Sequence, residues 1–93
     1  MDPEIELISL IDLAIATCQL AQKEAGETHK AWLMSDAALA ESQFQKIRDQ
    51  TLSKTLPSSK GGGLGITRSL SEWAPPYLYK AGEDVEKYYM NHF

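Results

Sequence analysis

Residues 2–20 read DPEIELISLIDLAIATCQL, and the spacing of their apolar side chains decides the fold. Asp2 suits the N-cap of a helix and Pro3 its first turn. Glu4 and Glu6 add negative charge where the helix dipole favours it. Two apolar rows then run side by side at helical spacing. Ile8, Ile11, Ile15 and Cys18 form one; Leu7, Leu10, Leu13/Ala14, Thr17 and Leu20/Ala21 form the other. A surface helix covers one core with an apolar stripe about 100° wide, and two rows exceed that. The segment must therefore touch neighbours on two sides, supplied by the rest of the chain or by a second copy.

Working outward, the first helix is expected from Pro3 to about Ala25, with Gly26 as its stop and Thr28 as the cap of the next. A second helical pattern spans His29 to Thr55, with Leu33, Ala37, Ala40, Phe44, Ile47 and Thr51 on one face and Trp32 bordering it. Asp36, Glu41, Gln45, Lys46 and Asp49 form its outward side. Continued backwards, that stripe meets Lys30, Gly26, Lys23, Gln19, Ala16 and Asp12, which are mostly polar. The two seams are out of phase, so a hairpin turning at Gly26–Glu27 is expected rather than one continuous rod. Asp12, set between the apolar rows, reads as an exposed carboxylate, or else as one paired with Lys or Arg.

From Leu56 the composition changes. PSSKGGGLG (57–65) packs Pro57, two serines and four glycines into nine residues, which reads as a flexible loop. Lys60 before the glycines and Arg68 after them offer a second reading, in which backbone N–H groups cradle an anion or a nucleic-acid phosphate. The stretch lacks the Gly-Lys-Ser/Thr ending of a P-loop and follows no strand, so no nucleotide-binding fingerprint is present. A short helical segment, Ile66 to Trp73, follows, with Thr67 or Ser69 as cap. Ala74-Pro75-Pro76 stops it, and a last helix runs from Pro76 to about Asn91 with Leu78, Ala81, Val85 and Tyr88/Tyr89 inward. Gly82 costs that helix about 1 kcal/mol relative to Ala, so packing must hold it.

The expected fold is thus all-α: an antiparallel helical hairpin (1–56), a flexible Gly-rich loop (57–65) and a C-terminal segment of one short and one longer helix (66–93). At 93 residues the core is small, and such cores often need help from assembly. A dimeric bundle is expected, with Leu7, Leu10, Leu13 and Leu20 at the interface between two copies.

The chain is 43% hydrophobic and 24% charged, with net charge −4 and pI near 5.0. An acidic balance weighs against general nucleic-acid binding. The charge is uneven, however: residues 57–71 hold Lys60 and Arg68 and no acid. One cysteine excludes an internal disulfide framework and a cysteine-based zinc cage. Cys18 reads as a small buried hydrophobe, and His29 and His92 as surface residues, so no metal and no cofactor are expected. The acidic start does not resemble a secretory leader, and Glu6, Ser9, Asp12 and Thr17 interrupt the apolar run, so neither export nor a membrane span is expected and a cytoplasmic setting is.

No nucleophile–base set assembles from these residues, and Glu83, Asp84 and Glu86 read as a solvated face. Aromatic residues crowd the C-terminus: Trp73, Tyr77, Tyr79, Tyr88, Tyr89 and Phe93. Trp73, Leu78, Val85 and one of Tyr88/Tyr89 are assigned to the core. Tyr77, Tyr79 and Tyr89, with Glu83 and Asp84, are left to meet a protein. Arg68-Ser69-Leu70-Ser71 also resembles a basophilic phosphorylation site. The leading functional expectation is a small acidic protein-interaction module of the inhibitor, immunity or adaptor kind, not an enzyme. The alternatives are a nucleic-acid regulator acting through Lys60 and Arg68, and a helical enzyme or small-ligand binder with a pocket between helices.

Overall fold

The computed structural model describes residues 2–60 and 62–93. Met1 and Gly61, which fall in the expected hairpin and loop, lie outside the described residues. Four helices follow one another: α1 (Pro3–Glu27), α2 (Ala31–Leu52), α3 (Ile66–Leu70) and α4 (Pro76–His92). Among the described residues all regular structure is helical. No described helix is long and apolar enough to cross a membrane.

α1 begins as its sequence dictates: the Asp2 side chain accepts from the Glu4 N–H at 2.9 Å, and Pro3 opens the first turn. At about 1.5 Å per residue, its 25 residues set the 40 Å long dimension of the molecule. Its two flanks are covered by α2 and α4, both from the same chain. The row at the centre of the core draws on both apolar rows: Leu7, Ile11, Ala14, Cys18, Ala21 and Ala25 are all buried. Half of that row is alanine, so neighbouring backbones approach closely over the second half of the helix.

The first helix ends later than expected. Gly26 lies inside α1, and Thr28 is its C-cap rather than the cap of α2, donating its N–H to Glu24. His29 takes the left-handed conformation (φ 55) that makes the turn. α2 then starts at Ala31 without a side-chain cap and runs back along α1. Polar pairs step along the two helices in opposite senses: Glu4–Lys54 at 3.9 Å, Asp12–Arg48 at 2.7 Å, and Glu41 accepting from Gln22 at 2.7 Å and Gln19 at 3.3 Å. Asp12 is both exposed and paired. Leu33, Ala37, Ala40, Phe44, Ile47 and Thr51 face inward, and the Thr51 hydroxyl is satisfied by the Ile47 carbonyl at 2.8 Å.

α3 is shorter than the expected 66–73 and is capped by neither Thr67 nor Ser69. Gly65 stands at its N-cap with φ 76, a region that costs glycine nothing. α3 rests on α4, and the contact is close at Gly82. A Cβ there would land on Leu70 Cδ1 and lie 3.2 Å from Ile66 Cγ2. The glycine that weakens α4 as a helix is the gap into which α3 fits.

Candidate functional site

The segment joining α2 to α3 is laid along α4 by a series of hydrogen bonds. Tyr89 donates its hydroxyl to the Pro57 carbonyl at 2.6 Å. The Ser58 hydroxyl donates to the Phe93 carbonyl at 2.7 Å, and the Ser59 hydroxyl to that of Met90 at 3.2 Å. Further along, the Glu86 carboxylate accepts from the backbone N–H groups of Leu64 at 2.6 Å, Ile66 at 3.1 Å and Thr67 at 3.1 Å. These are the amides that open α3. A carboxylate suits them because the first N–H groups of a helix have no partner within it.

Glu86 was expected on a solvated face with Glu83 and Asp84, and that expectation is corrected: it is buried. Burial pushes its carboxyl up, but hydrogen bonds from Thr67, Ile66 and Leu64 outweigh this and hold it below the usual carboxylate range. The glycine-rich stretch does cradle an anion on its backbone, and that anion is the chain's own. Lys60 and Arg68 both stand exposed, beside a cradle that is already filled.

The tyrosines expected to meet a protein are largely engaged within the chain. Tyr89 is buried, so it has no surface to offer; the expectation fails because its ring lies on the side of α4 that faces the 57–59 segment. Tyr89→Phe should remove one hydrogen bond and lower stability by about 1 kcal/mol, read as a shift in the urea midpoint with an unchanged slope. Tyr77 is half-buried and donates its hydroxyl to Glu24 at 3.0 Å. Loss of water, then the bond to Glu24 and its charge, push that hydroxyl up to about 12. Tyr79 is half-buried, as are Trp73 and Tyr88. On the outer face of α4, Lys80 pairs with Asp84 at 2.7 Å and Lys87 with Glu83 at 3.3 Å. The two acids of the expected binding surface are thus neutralised by their own helix.

Chemistry finds little to work with. Cys18 is buried, and desolvation followed by the charge of Glu41 pushes its thiol up to about 12, far from a thiolate nucleophile. His29 is exposed at the turn, and His92 stacks on Tyr88 with ring centres 4.1 Å apart. Among the described residues no three His, Cys, Asp or Glu side chains converge as metal ligands. Between α2 and the 64–73 segment run two shallow hollows of about 320 and 230 Å³ that share Gln43 and Ser69. Their lining mixes amide, hydroxyl and charged groups with Ile66 and Trp73.

Apolar side chains also stand on the third side of α1. Of the four leucines expected at an interface, Leu7 is buried and has no surface to contribute, because it belongs to the central row that faces α2 and α4. Leu10 is half-buried. Leu13 is 57% exposed and Leu20 44%, and sequence reasoning missed Ile5, at 67%, and Leu52 on α2, at 57%. Ile5 and Leu52 border one hollow of about 210 Å³, with Ile8 and Thr51 in its floor. Ile5, Ser9, Leu13, Ala16 and Leu20 recur every three or four residues, so they share one face. That spacing is the signal by which Ile5 was detectable. Searches of family models, of curated proteins and of solved structures each return no match to this chain.

Proposed function

We propose that the protein is a small acidic interaction module with no catalytic step of its own, which engages a protein through the outward face of α1 and the adjoining edge of α2. One observation carries this reading. α1 is covered by α2 on one flank and α4 on the other, and Ile5, Leu13 and Leu20 still stand in solvent on the third. Isolated exposed leucines are ordinary, whereas a row of large apolar side chains along one helix marks a contact surface. The polar row beside it, Asp12 with Arg48 and Glu41 with Gln19 and Gln22, supplies the satisfied rim that such surfaces carry.

The C-terminal tyrosines and acids support this assignment by contrast. Their bonds to Glu24, Pro57, Lys80 and Lys87 are internal, whereas Ile5, Leu13 and Leu20 on the α1 face stand exposed.

A photo-crosslinking residue at Leu13, compared with one at Lys87 on the outer face of α4, tests the reading in extracts of cells that make the protein. The expected outcome is a discrete protein adduct from position 13, absent from position 87 and suppressed by Leu20→Glu. Equal, diffuse labelling from both positions would refute it.

A further inference from the structure

The geometry points to a second copy of this chain as the occupant of the α1 face, crossing antiparallel with its two-fold axis at Leu13. This rests on the reading of that face as an interaction surface, and it names the protein that covers it.

A closed two-fold contact must be self-complementary: whatever residue i meets, it meets in both directions. For two copies of one helix packed antiparallel, the sequence along the contact row must read alike from both ends. The α1 row does so. Ile5 lies eight residues before Leu13 and Leu20 seven after it; Ser9 lies four before and Ala16 three after. Reversed about Leu13, large falls on large and small on small. Ile5 meets Leu20 of the second copy, Ser9 meets Ala16, and the two Leu13 side chains meet at the axis. The small residues on either side of Leu13 leave room for it, as interdigitating packing requires.

Charge selects the direction. The opening of α1 carries Asp2, Glu4 and Glu6 and no base, whereas its last turns hold Lys23 beside Glu24 and Glu27. A parallel pair would set three acids against three. The antiparallel pair instead sets each acidic start against a last turn whose two acids are partly offset by Lys23, so the repulsion is smaller in both halves of the contact. Leu52, which borders the same hollow as Ile5, joins the covered area.

Leu13 is exposed within one chain, so Leu13→Glu is expected to leave the fold intact, which thermal unfolding by circular dichroism checks. Sedimentation equilibrium from about 10 µM to about 1 mM should show a dimer, and Leu13→Glu should weaken it by roughly 100-fold or more, because the change acts twice at the axis. Leu39→Glu on α2, an equally exposed leucine on another side, should leave it unchanged. For direction, Ile5→Cys and Leu20→Cys proteins are mixed and oxidised; the expected product is the mixed disulfide, with little Ile5→Cys homodimer. A monomer at about 1 mM, a dimer indifferent to Leu13→Glu, or preferential Ile5→Cys self-linking would each overturn the inference. A monomer that still gives a discrete foreign adduct from Leu13 would overturn the second copy alone and leave the interaction surface standing.

Discussion

Replacing Glu86 with Gln should destabilise the protein by about 2–4 kcal/mol at pH 7, more than any substitution at an exposed position. The carboxylate takes three N–H donors, from Leu64, Ile66 and Thr67. Hydrogen bonds to an ionised acceptor are worth roughly twice those to a neutral one. The Gln amide brings one acceptor and one donor to a site that offers only donors, so at least one backbone N–H loses its acceptor and faces an N–H₂ group instead. Shortening the side chain to Ala should cost at least as much, since all three amides then fall silent together.

The loss has a sign in pH. The folded-state value of Glu86 lies below its ordinary one, so the carboxylate contributes stability in full above the unfolded value, near 4.3. That contribution fades as pH falls through the folded value, because protonation then removes the acceptor the amides require. Urea melts of the native protein and Glu86→Gln at pH 7 and near pH 3 check this: the gap between them should narrow in acid. A constant gap would mean that the side chain acts by shape and not by charge.

The second large effect is expected at Gly82, where two contributions oppose each other. Alanine improves the propensity of an exposed helix interior by about 1 kcal/mol. Here the new methyl group would overlap Leu70 Cδ1 and crowd Ile66, and both of those side chains are buried. Overpacking a filled interior costs about 1–3 kcal/mol, so Gly82→Ala should come out destabilising, and Gly82→Val clearly so. The coupling test is direct. Leu70→Ala alone opens a cavity and should cost about 2–5 kcal/mol, while the Gly82→Ala, Leu70→Ala pair should cost less than the sum of the two. Strict additivity in denaturant melts would mean that α3 does not rest on position 82.

The helices of this protein were readable because burial along a helix is periodic, and a period survives in a bare sequence. The double apolar surface of the first helix correctly implied neighbours on two sides, and Pro76 does open the last helix, whereas α2 ends at Leu52, short of the expected Thr55 and of Pro57. The azimuth was less legible. The buried centre, Leu7–Ile11–Ala14–Cys18–Ala21–Ala25, lies between the two rows the eye picks out, because alanine and cysteine there do the work of leucine at close approach. That is why Leu7 was assigned outward and Ile5 overlooked.

Glu86 was illegible for a different reason. Its partners are backbone amides about twenty residues away, which carry no side-chain signature, and its neighbours Glu83 and Asp84 do lie in the solvated pattern. Gly63 reads in the sequence as part of a flexible loop, and Gly82 as a cost to its helix that packing must offset. Each is instead a place where something must fit closely: Glu86 against the first, α3 against the second.

The tether between residues 57 and 70 has one more consequence. Three amides in a stretch with little regular structure of its own send their protons to a side chain on α4, so none of them can reach bulk solvent while that helix keeps its seat. Their deuterium uptake should therefore run in step with the slowest positions of α4 and not with the glycines beside them. Leu64, Ile66 and Thr67 would then serve as three clocks, set at the entrance to α3, that time the departure of α4.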